Sequence, residues 1–77
     1  MTDQDIIQCF PTYSHNELRV GDMIMAQHIC AKYEISPMQA KALLDDMVKK
    51  GYLTYDKGTD SRIAGWHLTE EGLLLVM

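Results

Sequence analysis

The sequence predicts a small, mostly helical α+β domain that spans residues 1–77 as a single unit. Three observations support this prediction. First, 77 residues with 47% hydrophobic and 23% charged side chains are typical of one small globular domain rather than a disordered chain. Second, apolar residues recur at helical spacing in the first two thirds of the chain, with capping residues at the ends of each run. Third, a cluster of turn residues separates two β-prone runs near the end.

The first element is predicted to be a short helix. Thr2 is a good N-cap, and Asp3 and Asp5 suit the positive end of the helix dipole. Pro11 ends the helix because the residue before a proline disfavours helical backbone. The apolar stripe of this helix consists of Ile6, Ile7 and Phe10.

A very short strand and a second helix follow. Polar and apolar residues alternate over residues 17–20, which predicts the strand. Residues 22–33 are predicted to be helical because apolar residues recur there on one face. These residues are Met25, Ala26, Ile29, Cys30 and Tyr33.

The third helix, over residues 36–50, has the clearest local signals. Ser36 is its N-cap, Pro37 occupies the first helical position and Gln39 completes a capping box. Gly51 supplies a left-handed stop. The stripe that faces the core consists of Ala40, Leu43, Leu44, Met47 and Val48, which leaves Asp45 and Asp46 pointing outward.

A hairpin and a last short helix complete the chain. The β-prone residues 52–55 predict one strand, residues 56–61 form the turn, and residues 62–68 predict the return strand. Thr69 caps the last helix, whose first turn is acidic.

This order of elements resembles the winged helix-turn-helix family, of the small bacterial or phage transcription-regulator type, over nearly the whole chain. The run LDDMVKKGYL at residues 44–53 resembles the family's exit from recognition helix to wing, and WHLTEEG at residues 66–72 resembles the return strand and the turn after it. Glu34 stands where the family's tight turn often has glycine, and Cys30 stands where its helix often has alanine. Apolar residues lie at matching places around the turn: Ile29, Tyr33, Ile35, Ala40 and Leu43. The resemblance implies a three-helix core, a two-to-three-stranded β wing and a short C-terminal helix.

The resemblance also implies binding to double-stranded DNA without a cofactor, as in a transcriptional regulator. Helix 36–50 would read the major groove and wing 55–63 would grip the backbone. Gln39 could then pair with adenine, and Ala42 could touch a thymine methyl group. A homodimer formed through the terminal helices would present two third helices to a pseudo-palindromic site. The predicted DNA contacts are Ser36, Met38, Gln39, Lys41, Ala42, Lys49, Lys57, Thr59 and Arg62.

The charge distribution leaves a second hypothesis open. The formal net charge is −4 and the isoelectric point is near 5.1, so the chain as a whole does not attract nucleic acid. Residues 37–62 carry a net charge of +1 and the remainder carries −5, which mildly favours DNA binding by that segment. The alternative is an acidic protein-interaction module, for example an inhibitor of the anti-restriction or anti-CRISPR type, that binds a basic protein instead.

Other classes of function are not expected. The cysteines and histidines lack the spacing of a metal site, and Cys30 is better explained as a small core residue. The five glycines are scattered and form no phosphate-binding loop, and no nucleophile motif is present, so we expect neither an enzyme nor a bound cofactor. No apolar run is long enough to span a membrane, and the acidic start is unlike a signal peptide, so a cytoplasmic location is expected.

Overall fold

The computed structural model describes residues 2–11, 17–61 and 63–77. Within these residues the chain forms four helices and three strands, which confirms the predicted α+β class and the predicted order of elements. The elements are α1 (Asp3–Ile7), β1 (Met23–Ile24), α2 (Ala26–Tyr33), α3 (Pro37–Lys49), β2 (Leu53–Asp56), β3 (Gly65–Leu68) and α4 (Glu70–Leu74).

The three strands form one antiparallel sheet in the order β1-β3-β2. In β3, Trp66 lies opposite Ile24 of β1 and opposite Tyr55 of β2. The central strand therefore connects the hairpin to the segment that precedes α2.

The position of the first strand corrects two sequence-based predictions. The strand predicted over residues 17–20 is not formed, and β1 lies inside the segment predicted as the start of the second helix. The reason is tertiary pairing: the Gly21 amide donates to the Leu68 carbonyl at 2.9 Å, and the Leu68 amide donates to the Asp22 carbonyl at 2.8 Å. Backbone pairing with β3 therefore keeps the chain extended until Met25, and α2 begins at Ala26.

The core draws on all three strands and on the first three helices. Its buried residues are Ile6, Ile7, Phe10, Ile24, Ile29, Ala40, Leu44, Met47, Leu53, Trp66 and Leu68. Among the described residues no polar or charged side chain is buried. Burial of each large aliphatic side chain contributes about 1.5–3 kcal/mol, so this single cluster is what holds the helices against the sheet.

The predicted caps at the start of α1 and α3 and the predicted stop after α3 are confirmed, whereas α1 ends at Ile7, before the predicted end at Pro11. At the start of α3 the Ser36 hydroxyl accepts from the Gln39 amide at 3.1 Å, and the Gln39 side-chain oxygen accepts from the Ser36 amide at 3.0 Å. Thr2 and Asp5 form the same reciprocal pair at α1, and the hydrogen bond from the Thr2 amide lowers the pKa of Asp5. Gly51 has a φ of 85° just after α3, as its predicted role as a stop requires.

The hairpin is shorter than predicted. Pairing between β2 and β3 ends at Asp56 and Gly65, so residues 63 and 64 are outside the return strand predicted for residues 62–68. Asp56 ends the pairing because its carboxylate accepts from the Gly58 amide at 2.9 Å and turns the chain. Arg62 lies outside the described residues.

In the part of the chain that the structure describes, no helix combines the length and the hydropathy that a membrane span requires.

Candidate nucleic-acid interface

Helices α2 and α3 meet at a tight turn of three residues. Glu34 ends α2 in the left-handed conformation, with φ 55° and ψ 42°, and its amide donates to the Cys30 carbonyl at 3.0 Å. This conformation costs a residue with a side chain about 1–2 kcal/mol, a cost that glycine would avoid. The turn places Ser36 at the N-terminus of α3, where its side chain caps the helix.

One face of α3 remains largely exposed after the core has formed. Met38, Lys41, Ala42, Asp45 and Lys49 share this face because they recur at helical spacing. We call these five residues the outer stripe. Met38 is 82% exposed, an unusual degree for a large apolar side chain. The first turn of α3 contains no acidic residue. Of the predicted DNA contacts, Met38, Lys41, Ala42 and Lys49 thus lie on a common face.

A connected set of polar contacts lies in the middle of the outer stripe. The Lys41 ammonium donates to Asp45 Oδ2 at 2.9 Å, and the Trp66 indole donates to Asp45 Oδ1 at 3.3 Å. The hydrogen bond to Asp45 raises the pKa of Lys41 above its ordinary value. The Trp66 ring in turn packs against the Tyr55 ring, with centroids 4.9 Å apart. The sheet therefore holds the carboxylate, and the carboxylate holds the lysine.

Asp45 was not among the predicted site residues, and it does not simply point outward into solvent. Its side chain is 42% exposed, while that of Lys41 is 60% exposed. The spacing of Lys41 and Asp45 could have indicated their ion pair. No local signal could have indicated the contact with Trp66, which is 21 positions away in the sequence.

Ser36 and Gln39 have a structural role in addition to any contact with a ligand. In the capping box, the side-chain oxygen of each residue accepts a hydrogen bond from the backbone amide of the other. In an adenine contact by Gln39, its side-chain oxygen would accept from the base as well as from the Ser36 amide. The structure therefore places both residues at the start of α3 but already engages the groups that would contact a base.

On the other side of the outer stripe from Lys41, α3 borders an apolar groove that adjoins the stripe at Ala42. The groove has a volume of about 450 Å³ and is lined by Ile35, Gln39, Ala42, Leu43 and Asp46. Beside it, Lys50 donates to Asp46 at 2.9 Å and to Asp3 of α1 at 3.1 Å. Both hydrogen bonds raise the pKa of Lys50. This flank is thus more apolar than the outer stripe and is tied to α1.

The hairpin loop carries the predicted wing contacts. Lys57 and Thr59 are exposed, and the Thr59 hydroxyl accepts from the Ser61 amide at 3.3 Å. Neither Lys57 nor Lys49 forms an ion pair with another described residue. Their two positive charges are therefore available to a ligand, whereas those of Lys41 and Lys50 are partly neutralised within the domain.

A second hollow, of about 500 Å³, lies between the hairpin loop and the segment before β1. There the His67 Nδ1 atom lies 2.9 Å from the Gly21 carbonyl oxygen, and its Nε2 atom lies 3.8 Å from Asp56. These contacts join the hairpin to the start of β1, so we attribute a structural role to them.

Metal ligation and thiol chemistry find no support in the described part of the chain. No group of three or more histidine, cysteine, aspartate or glutamate side chains lies together there. Cys9 and Cys30 are free and half-buried, and burial raises the pKa of the Cys9 thiol, which disfavours the reactive thiolate.

No protein-family model, curated protein or solved structure matches this chain. The functional argument therefore depends on the geometry and charge of α3 and the hairpin.

Proposed function

We propose that this chain is a winged helix-turn-helix domain that binds double-stranded DNA, as a small transcriptional regulator does, with α3 in the major groove and the hairpin loop on the sugar-phosphate backbone. The observation that carries the proposal is the outer stripe of α3, which is exposed and has no acidic residue in its first turn. With 13 residues, α3 is about 20 Å long. The diameter of an α-helix with its side chains is about 10–12 Å, which fits the major-groove width of about 12 Å.

The positions of the unpaired lysines support the proposal. Lys49 is the last residue of the outer stripe, at the end of α3, and Lys57 lies on the hairpin loop, so each part of the proposed interface carries one unpaired charge. Phosphate contacts fix the position of a protein on DNA, while contacts from the start of the helix can reach base edges. Since the chain carries a net charge of −4, we expect its affinity for DNA to be modest. Because the lysines would contact phosphates, that affinity should weaken steeply as the salt concentration rises.

The experiment that tests DNA binding is fluorescence anisotropy with a random-sequence duplex across a salt series. Wild type is compared with the double variant Lys49→Ala/Lys57→Ala and with the matched control Arg19→Ala/Lys32→Ala. Both variants lose two positive charges, but Arg19 and Lys32 lie outside α3 and the hairpin. We expect the interface variant alone to reduce the slope of log affinity against log salt, by about two units for two lost phosphate contacts.

Two results would contradict this proposal. Wild type that does not bind the duplex at low salt would exclude DNA as the ligand. Equal loss of affinity in the two variants would show that only net charge matters and would remove α3 and the hairpin from the interface.

The apolar groove favours a second candidate, an interaction module or inhibitor that binds a basic protein. A helix with apolar and basic residues could place apolar side chains between Ile35 and Leu43, and Asp46 at the edge would attract its basic residues. Titration of a synthetic amphipathic Lys/Leu helix tests this candidate. Binding of the peptide that weakens in Leu43→Gln but not in Met38→Gln would support this candidate. Equal binding by wild type and both variants would contradict it.

Homodimer formation through the terminal helices stays a prediction. Leu74 and Met77 are exposed and could contact a second copy. Glu70 and Glu71 begin the same helix, and a symmetric contact would bring their charges close to those of the partner. Sedimentation equilibrium measures the oligomeric state directly, and a monomer at high concentration would contradict the prediction.

A further inference from the structure

We infer that Lys41 and Asp45, held in place by Trp66, form a preordered donor–acceptor pair that reads one base pair in the major groove by its keto–amino polarity, with guanine preferred on the strand that Lys41 faces. This inference rests on the proposed binding of DNA and adds the sequence preference of the same surface.

The geometry of the pair matches the edge of a base pair. The Lys41 ammonium and Asp45 Oδ2 are 2.9 Å apart. In a Watson–Crick pair, the keto oxygen of one base and the amino nitrogen of the other are also joined by a hydrogen bond of about 2.9 Å. An ammonium can therefore donate to the keto oxygen while the carboxylate accepts from the amino group beside it. Asp45 has lone pairs to spare for this contact, because a carboxylate offers about four acceptor sites.

The chemistry of the four bases determines the preference. Opposite Lys41, guanine offers the adjacent acceptors O6 and N7, and thymine offers O4 beside a methyl group. Adenine and cytosine would instead present an amino group to the ammonium, and the carboxylate would then face a keto oxygen. We therefore expect guanine first and thymine second, with adenine and cytosine rejected.

Two features indicate that the pair is positioned for more than helix stability. In a helix, an acidic residue four positions before a lysine is the favourable order, and Lys41 and Asp45 have the reverse order. In addition, the buried Trp66 donates the only hydrogen-bond donor of its side chain to Asp45. The carboxylate is thus fixed by the sheet at a site that remains half exposed, which reduces the entropy lost when a base pair binds.

The test begins with selection of bound duplexes from a random pool by wild type. We expect one position that is enriched in guanine, with a preference over cytosine of about 5- to 150-fold, the range for one specific base contact. The decisive variant is the exchange Lys41→Asp/Asp45→Lys combined with Trp66→Phe, which keeps the net charge and the spacing of the pair and removes the indole N–H that would lose its acceptor at position 45. It should invert the preference at that position from guanine to cytosine and leave the other positions unchanged.

The control is Asp46→Lys/Lys50→Asp, which exchanges the other ion pair of α3 and should leave the selected sequence as in wild type. Circular dichroism confirms that each variant is folded. Wild type that binds the pool without a guanine position, or an exchange variant that keeps the wild-type preference, overturns the inference and leaves DNA binding intact. Wild type that does not bind the pool at all overturns both.

Discussion

Helix α3 carries two ion pairs of the same chemistry and the same length, yet the two pairs have different surroundings. Lys41 and Asp45 are 2.9 Å apart on the outer stripe, and Asp46 and Lys50 are 2.9 Å apart on the opposite flank. The first pair is joined to the sheet through Trp66 and remains open to solvent. The second pair is joined to α1, where Asp3 is a second acceptor for Lys50.

The two pairs also differ in the order of their charges along the helix. Asp46 precedes Lys50, so this pair complements the helix dipole and ties the end of α3 to the start of α1. Lys41 precedes Asp45, the less favourable order. We interpret Asp46 and Lys50 as a stabilising contact between helices and Lys41 and Asp45 as a contact kept for binding, and the predictions below test this distinction.

The largest effect on stability is expected from a substitution in the core, on the face of α3 away from both ion pairs. Leu44 is fully buried on the inner face of α3, so Leu44→Ala should lower the free energy of unfolding by about 2–5 kcal/mol through lost burial and a cavity. Urea denaturation measures this loss. Ala42→Ser on the exposed face serves as the control and should change stability by less than about 0.5 kcal/mol. A loss below about 1 kcal/mol for Leu44→Ala would show that α3 does not depend on this part of the core.

A smaller effect is expected at the start of α3. Ser36→Ala removes the hydroxyl that accepts from the Gln39 amide, which should cost about 1 kcal/mol in urea denaturation. Thr2→Ala is the matched change because Thr2 forms the equivalent capping box at α1. Comparable losses would show that the two boxes act alike. No loss for Ser36→Ala would mean that the Ser36 hydroxyl does not contribute to the stability of α3.

Local signals made the caps at the start of α1 and α3 and the stop after α3 predictable from sequence. Ser36, Gln39 and Gly51 act on neighbours within a few residues, so their roles can be read without knowing the fold. The two-residue strand β1 could not be predicted in this way. It exists because the backbone near Gly21 pairs with Leu68, which is distant in sequence.

The candidate site was likewise predictable only in part. Helical spacing placed Met38, Lys41 and Lys49 on a common face of α3. The role proposed for Asp45 depends on its hydrogen bond with Trp66, and that contact appears only when the sheet packs against the helix. Sequence therefore indicated which face of α3 is exposed, while the fold determines which polar groups on that face are held in place.

The smallest effects should separate the two ion pairs themselves. Lys50→Met removes a cation that contacts both Asp46 and Asp3, so it should lower the melting temperature by about 2–4 °C. Lys41→Met removes a cation that contacts only Asp45, and a lysine four positions before an aspartate is the less favourable order in a helix. This variant should therefore lower the melting temperature by less than about 1 °C. Differential scanning calorimetry measures both variants at low salt and again at high salt, where screening should remove most of the difference. DNA binding should respond in the opposite order, with the larger loss in Lys41→Met. If Lys41→Met were as destabilising as Lys50→Met, both pairs would be structural, and the distinction drawn between the two flanks of α3 would be wrong.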